Sequence, residues 1–375
     1  MKKIAYVVDS VFPSKEANSV HAAKMAYAFS KCSEITLFCK ELIGDSQKAF
    51  DQYGVMQSFA ICATNNRKGS GRIKILLDGW LTSRNIKKNG KFDALYGRSA
   101  VSLFFSRKIA PFVFETHEWP TSKAMYYLQK WMLSSKKCKG LVTITEELKK
   151  KYLEEFPFLK QSNVIVLQDA ADPVFVIPEP IEIDNRRSSD PSVIIGYLGH
   201  LYPGKCMEII IELAKLRPNY LFHIAGGTQE MVYYWSDELK KNKVKNVVLY
   251  GFITNKDIGK WYSAFDVFLL PLKSNILVGN GKKNIGKWIS PLKLFEAMAY
   301  GKAIISSDLP TIKEVMINEQ DGLIVSADKI DEWAEALDRM IVDGELRQRL
   351  GAAAKNKLEE QYTWSKRANR IVEML

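Results

Sequence analysis

The sequence predicts an α/β protein built as two domains. Short apolar runs, such as residues 4–8, 111–115 and 193–198, alternate with longer stretches of helical periodicity, the pattern of parallel sheets covered by helices. At 375 residues the chain is long for one core and comfortable for two. Between residues 177 and 191 prolines, acids, arginines and serines replace any apolar period, so this stretch reads as a linker before a new buried strand.

Composition narrows the function classes. The opening apolar run stops at Asp9, too short for a signal sequence, and reads as a first strand. No later run approaches the roughly 20 apolar residues of a membrane span. Cys32, Cys39, Cys62, Cys138 and Cys206 are odd in number and scattered, which suits free thiols in a reducing cytoplasm and argues against a zinc site. The formal charge of +12 calls for an anionic partner: nucleic acid, an anionic membrane or a phosphorylated ligand. Aromatic residues are not interleaved with the basic stretches as a base-stacking surface requires, which argues against nucleic acid.

In the first domain a strand at 4–8 runs into the loop 9–19, at the end of a parallel sheet where ligands sit. Ser19 suits the N-cap of a helix over 20–31, and His21 reads as a structural or surface residue rather than a catalyst. Residues 35–39 are the second strand. Residues 67–91 are the most basic stretch, with Arg67, Lys68, Arg72, Lys74, Arg84, Lys87, Lys88 and Lys91 against the single acid Asp78. Within it Ile73, Leu76, Leu77, Trp80 and Leu81 keep helical spacing. The expectation is that this apolar face docks on the sheet, while the basic rim is free to meet the headgroups of an anionic membrane, peripherally on its inner face. A strand over 94–96 ends in Gly97-Arg98-Ser99. His117 follows the strand 111–115, a place suited to chemistry rather than packing, with the Glu118 carboxylate beside it. Helices over 122–139 and 146–156 flank a strand at 141–144, and a last strand opens at 164.

In the second domain the loop after strand 193–198 carries Gly199, His200, Gly204 and Lys205 before a helix over 207–216. Glycines bracketing such a turn and a lysine at the helix start make a diphosphate cradle, although not a Walker A loop. The strand 220–225 contains His223, read as a core residue, and ends at Gly226-Gly227. After strands at 247–253 and 266–271, the loop 273–289 is long enough to be functional and is expected to move until a ligand binds. It leads into Ser290-Pro291-Leu292-Lys293-Leu294-Phe295-Glu296-Ala297-Met298-Ala299-Tyr300-Gly301. Ser290 suits an N-cap and Pro291 the first helical position; Leu294, Phe295 and Met298 share one face; Gly301 suits a left-handed stop. Unpaired amides at this helix start favour a phosphate, and Glu296 would accept hydroxyl hydrogen bonds.

This stretch resembles the donor-binding signature of family 4 retaining glycosyltransferases, also called glycosyl transferases group 1. The resemblance implies the GT-B fold: two Rossmann-like domains with mostly parallel sheets facing across a cleft. The acceptor-binding domain would span 1–178, with a closing helix at about 362–375 packing back on it, and the nucleotide-sugar domain 190–361. By the same resemblance Glu296 holds the donor ribose, and the helix start from Ser290 through Pro291 and Leu292 to Lys293 meets the diphosphate. Lys205 is the lysine of an anion clamp in which His200 stands near the arginine's place, with Gly204 and Gly227 in the donor set. Ile253 lies at the base, and His117 faces the sugar and acceptor. Asn18 and Ser19 stand where the family has a pair of glycines. One departure is Trp288, where a first glutamate often precedes Glu296. The implied reaction takes a sugar from a UDP-, GDP- or similar nucleotide donor to a saccharide or lipid-linked acceptor, with no cofactor and, lacking an Asp-x-Asp motif, no required metal. A non-catalytic scaffold and a nucleotide-sugar epimerase are the rival expectations.

Overall fold

The computed structural model describes residues 1–65, 71–185, 188–190, 192–205, 207–278, 283–284 and 286–375. Arg67 and Lys68 of the basic stretch, Cys206, and parts of the expected linker and of the loop expected to move therefore lie outside the described residues. The chain divides into two compact units, Met1–Asp169 with Trp364–Leu375, and Ala170–Thr363.

The first unit runs β1 (Lys3–Val7), β2 (Val11–Phe12), α1 (Ala17–Ser30), β3 (Glu34–Cys39), β4 (Glu41–Leu42), α2 (Ser46–Tyr53), β5 (Ala60–Ala63), α3 (Gly71–Lys88), β6 (Ala94–Gly97), α4 (Ala100–Ser106), β7 (Phe112–Thr116), α5 (Lys123–Leu133), β8 (Cys138–Thr143), α6 (Glu146–Glu155) and β9 (Val164–Val166). Seven strands form a parallel sheet in the order β5-β3-β1-β6-β7-β8-β9, with β2 and β4 paired beside it. Strands β6 and β7 are buried throughout, as parallel strands covered on both faces must be. The order reverses between β1 and β6, which makes the loops after those strands the natural ligand position.

Two local expectations are overturned here. Ser19 is not an N-cap: α1 begins at Ala17, and the buried Ser19 hydroxyl bonds Ser14 and the Val11 carbonyl. Nor does α3 dock through its apolar stripe. Its buried residues are Gly79, Thr82, Ser83 and Ile86, and Gly79 lies so close to Val101 that only a glycine lets α3 approach α4. Ile73, Leu76 and Trp80 are exposed. Hydrophobicity alone misassigned the face because helix-to-helix approach selected small residues.

The second unit runs β10 (Ile195–Leu198), α7 (Met207–Leu216), β11 (Phe222–Ala225), α8 (Gln229–Lys241), β12 (Val247–Gly251), α9 (Ile258–Ala264), β13 (Val267–Leu270), the hairpin of β14 (Leu277–Val278) and β15 (Lys283–Asn284), α10 (Leu292–Ala299), β16 (Ala303–Ser307), α11 (Pro310–Lys313), β17 (Leu323–Val325), α12 (Ile330–Val342) and α13 (Gly344–Gln361). Its parallel sheet is ordered β12-β11-β10-β13-β16-β17, reversing between β10 and β13. The helix α14 (Trp364–Met374) returns to the first unit and packs on α1 through Trp364, Arg367, Ala368 and Ile371. The proline-rich segment is no free linker where it is described. Ile181 and Ile183 pack on the second unit's core, and buried Asn185 accepts a bond from His223 Nε2 at 3.0 Å. Helix α10 starts one residue later than expected, at Leu292, with Pro291 as its N-cap. Gly301 takes the left-handed conformation expected of it, at φ +62°.

Gly226 is the tightest backbone position near the second reversal. Its φ is +124°, and an added Cβ would sit 1.9 Å from the Gly199 carbonyl oxygen. Gly226→Ala should cost at least about 2 kcal/mol in urea unfolding, against about 1 kcal/mol for Gly54→Ala, a left-handed glycine with open space around it.

Candidate active site

In the first unit the carboxyl ends of β1, β6 and β7 bring a polar constellation together. At its centre is Glu115, fully buried in β7. Its Oε2 accepts from Tyr96 and from Arg367 Nη2, the latter at 2.9 Å. Its Oε1 accepts from His117 Nε2 at 2.6 Å. The other ring nitrogen of His117, Nδ1, lies 2.9 Å from Arg98 Nη2. Arginine can only donate, so Nδ1 must accept, and the proton of a neutral imidazole sits on Nε2 facing Glu115. Both nitrogens of His117 are therefore committed. The His21 ring packs edge-on to His117, with Nε2 3.5 Å from Glu115 and 3.3 Å from Asp169.

The electrostatics follow from burial. Burial alone would raise the Glu115 pKa, but Arg367, the His117 hydrogen bond and His21 together hold it well below the carboxylate range. Burial and then Arg98 push both imidazoles below the usual histidine value, and burial raises Asp169. Among the described residues His21, Glu115 and His117 have the spacing of a metal-binding group. Their fit is poor: His117 has no free lone pair, and two guanidinium groups already sit on the cluster.

In the second unit the loops after β10 and β13 flank the strand reversal. Lys205 lies just before α7, its ammonium 6.0 Å from the Tyr202 ring. The His200 ring stacks on Tyr202, with centroids 5.1 Å apart. Gly204 has φ +78°, and an added Cβ would meet the Asn275 carbonyl at 2.1 Å; its amide donates to Glu208 Oε1 at 2.7 Å. Close loop packing, rather than an amide kept open for phosphate, explains this glycine. Gly227 is left-handed beside Leu201, and Ile253 packs on the second core. Across the reversal, α10 opens at Leu292; its N-cap, Pro291, gives the first amides no side-chain partner, and the Leu294 amide donates to the Pro291 carbonyl at 2.9 Å. One turn in, Glu296 Oε2 accepts from Lys293 Nζ at 2.6 Å and from the Tyr262 hydroxyl at 3.0 Å. Burial and the adjacent Glu296 raise the Tyr262 pKa, so it remains a donor. Trp288 closes a short 3-10 turn before this helix, with Lys287 Nζ 4.6 Å from its ring centroid.

The second unit's sequence matches a known family. Residues 179–357 match the model for glycosyl transferases group 1. This stretch is a group 1 glycosyltransferase domain. An uncharacterized glycosyltransferase of Methanocaldococcus jannaschii, MJ1607, is 26% identical over 67% of this chain and 63% of its own length. The UDP-Gal:alpha-D-GlcNAc-diphosphoundecaprenol alpha-1,3-galactosyltransferase of Escherichia coli is 25% identical over 49% of the chain and 45% of its own. The chain spans about two thirds or less of the length of these and similar curated relatives, 66% and 60% in two further cases. Among solved structures, Anabaena HepE in complex with UDP and glucose superposes with a TM-score of 0.72 at 14% identity, covering 100% of this chain and 99% of its own. The fold is GT-B.

Within the glycosyltransferase domain, the geometry gathers Ser290, Pro291, Leu292, Lys293 and Glu296 at one helix start, and ranges Lys205, His200 and Gly204 after the neighbouring strand. In the first unit it brings His117 together with His21, not with Asn18 and Ser19. Asn18 donates to the Ser10 hydroxyl at 2.9 Å, and the Ser19 hydroxyl is turned inward. Sequence reasoning paired His117 with Glu118; the carboxylate that holds it is Glu115. A charged residue inside an otherwise apolar strand was the available signal. Arg98, Asp169, Arg367 and Tyr262 were also missed, the last because a buried tyrosine carries no motif.

Neutral His21 makes stability depend on pH. The unfolded chain takes up this proton near pH ~6.5 and the folded chain does not, so stability falls as pH drops through that value. Asp169, with its raised pKa, acts in the opposite direction at lower pH. His117 and Glu115, with Arg98 and Arg367, complete the surroundings. Thermal melts between about pH 7.5 and 5.5 should show a shallower loss for His21→Asn than for the parent. Parallel losses would mean that His21 is already charged in the folded protein.

Proposed function

We propose that the chain is a retaining, family 4 glycosyltransferase that moves a sugar from a nucleotide diphosphate donor to a saccharide or lipid-linked acceptor in surface glycan assembly. The observation that carries this reading is Glu296, one turn into a helix whose N-cap, Pro291, offers its first amides no side-chain partner, inside the group 1 domain. HepE, with UDP and glucose, supports a UDP-type donor, and the Escherichia coli relative, named for a diphosphoundecaprenol-linked substrate, supports a lipid-linked acceptor. A Staphylococcus aureus relative named for capsular polysaccharide biosynthesis supports the setting.

The second unit takes the donor. Glu296 receives the ribose hydroxyls, exchanging part of its bond to Lys293, and Ile253 and Gly227 lie toward the base. Negative charge grows on the diphosphate as the glycosidic bond breaks. Lys205, Lys293 and the first α10 amides offset it, while a donor phosphate oxygen takes the acceptor proton on the same face. His200 and Gly204 line this loop. The first unit takes the acceptor near His117, whose neutral ring has a fixed orientation. No step calls for a metal.

Lys205→Ala should lower transfer by about a hundredfold to a thousandfold with the melting temperature little changed. Glu296→Ala should weaken the thermal shift produced by the preferred nucleotide sugar by about tenfold in apparent Kd. Donor consumption without any acceptor and with sugar inversion would point to an epimerase, and variants as active as the parent would remove the proposed roles.

A further inference from the structure

We infer that the outward faces of α3 and α5 in the first unit form a docking surface for an anionic lipid bilayer. At 100° per residue, Ile73, Leu76, Leu77, Trp80, Arg84 and Lys87 form one stripe of α3, centred about 120° round the helix from its buried residues Gly79, Thr82, Ser83 and Ile86, and Ile73, Leu76 and Trp80 on it are exposed. The stripe is therefore apolar toward the N-terminal half and basic toward the C-terminal half, and it points away from the core. Ile73 is 74% exposed and Trp80 42%. On α5, Tyr127 and Trp131 stand four apart and are 52% and 63% exposed, with Lys123 and Lys130 on the same side. Helix α4 packs between the two, and the chain crosses the sheet in the same direction at each, so all three cover one face.

Charge selects the occupant. Residues 71–88, 100–106 and 123–133 contain seven basic side chains and one acid, Asp78, which Lys74 pairs at 3.7 Å. Arg84 lies over the Trp80 ring at 4.8 Å and Arg107 over Phe104 at 4.0 Å, so cationic groups are carried on aromatic ones. Tryptophan and tyrosine seat at the headgroup level of a bilayer, while arginine and lysine reach its phosphates. Among the described residues no helix is long and apolar enough to cross a membrane, so contact would be interfacial.

The test is co-sedimentation of the full chain with vesicles of phosphatidylglycerol or of phosphatidylcholine. Binding to the first and not the second is expected, weakening with salt. A triple variant, Arg84→Ser, Lys87→Ser and Lys88→Ser, should partition about a hundredfold more weakly, at roughly tenfold or less per charge. Trp80→Ser with Trp131→Ser should reduce binding while leaving the circular dichroism and the mass by light scattering unchanged. If a variant fails to fold, quenching of the parent's tryptophan emission by brominated phosphatidylglycerol replaces it. Equal pelleting with both lipids, variants that bind like the parent, or a dimer that the tryptophan changes split into monomers would overturn the proposal; the last would make the occupant a second copy of the chain.

Discussion

The buried charge of Glu115 is the constraint on which the first unit's functional end depends. A carboxylate with no exposure is tolerated only when every lone pair has a partner and opposite charge lies close by. Tyr96 comes from the adjacent strand, His117 from the end of the same strand, and Arg367 from α14, the last helix of the chain. Arg367 also donates to the carbonyls of Leu167 and Gln168, at 3.2 and 3.0 Å. A single guanidinium thus joins the centre of the sheet, the exit of its final strand and the returning helix. The requirement to neutralise one carboxylate places the residues from which the proposed acceptor side is built.

Glu296 shows the opposite use of the same group. Its side chain remains 17% exposed, and the two donors shown on it converge on one oxygen. A paired carboxylate at the mouth of a helix start can exchange a lysine for ligand hydroxyls at small cost, because both states keep it hydrogen-bonded. Glu115 has no such freedom. Environment, rather than residue type, separates a carboxylate that positions its neighbours from one suited to a ligand.

The fold was legible because its strands are apolar without interruption and its turns are punctuated by glycine and proline. Gly301 and the helix 207–216 stand where the pattern put them. The face of α3 was not legible: Gly79, Thr82 and Ser83 are buried through close approach to α4, and periodicity ranks residues by hydrophobicity alone. Ser19 misled for a related reason, since a serine ahead of an apolar run is equally suited to a cap or to an internal hydrogen bond. At the candidate site, residues within one stretch, Ser290 to Glu296, could be read together. The Glu115 cluster could not, because Tyr96, Arg98, Glu115, Asp169 and Arg367 share no local pattern and meet only once the sheet and α14 assemble.

The state of His117 tests this account most directly. In protein labelled with nitrogen-15 histidine, the His117 resonances at neutral pH should report a neutral ring protonated at Nε2, with Nδ1 accepting from Arg98, and should keep that form to lower pH than an exposed histidine does. A doubly protonated His117 at neutral pH, or a proton on Nδ1, would contradict the account.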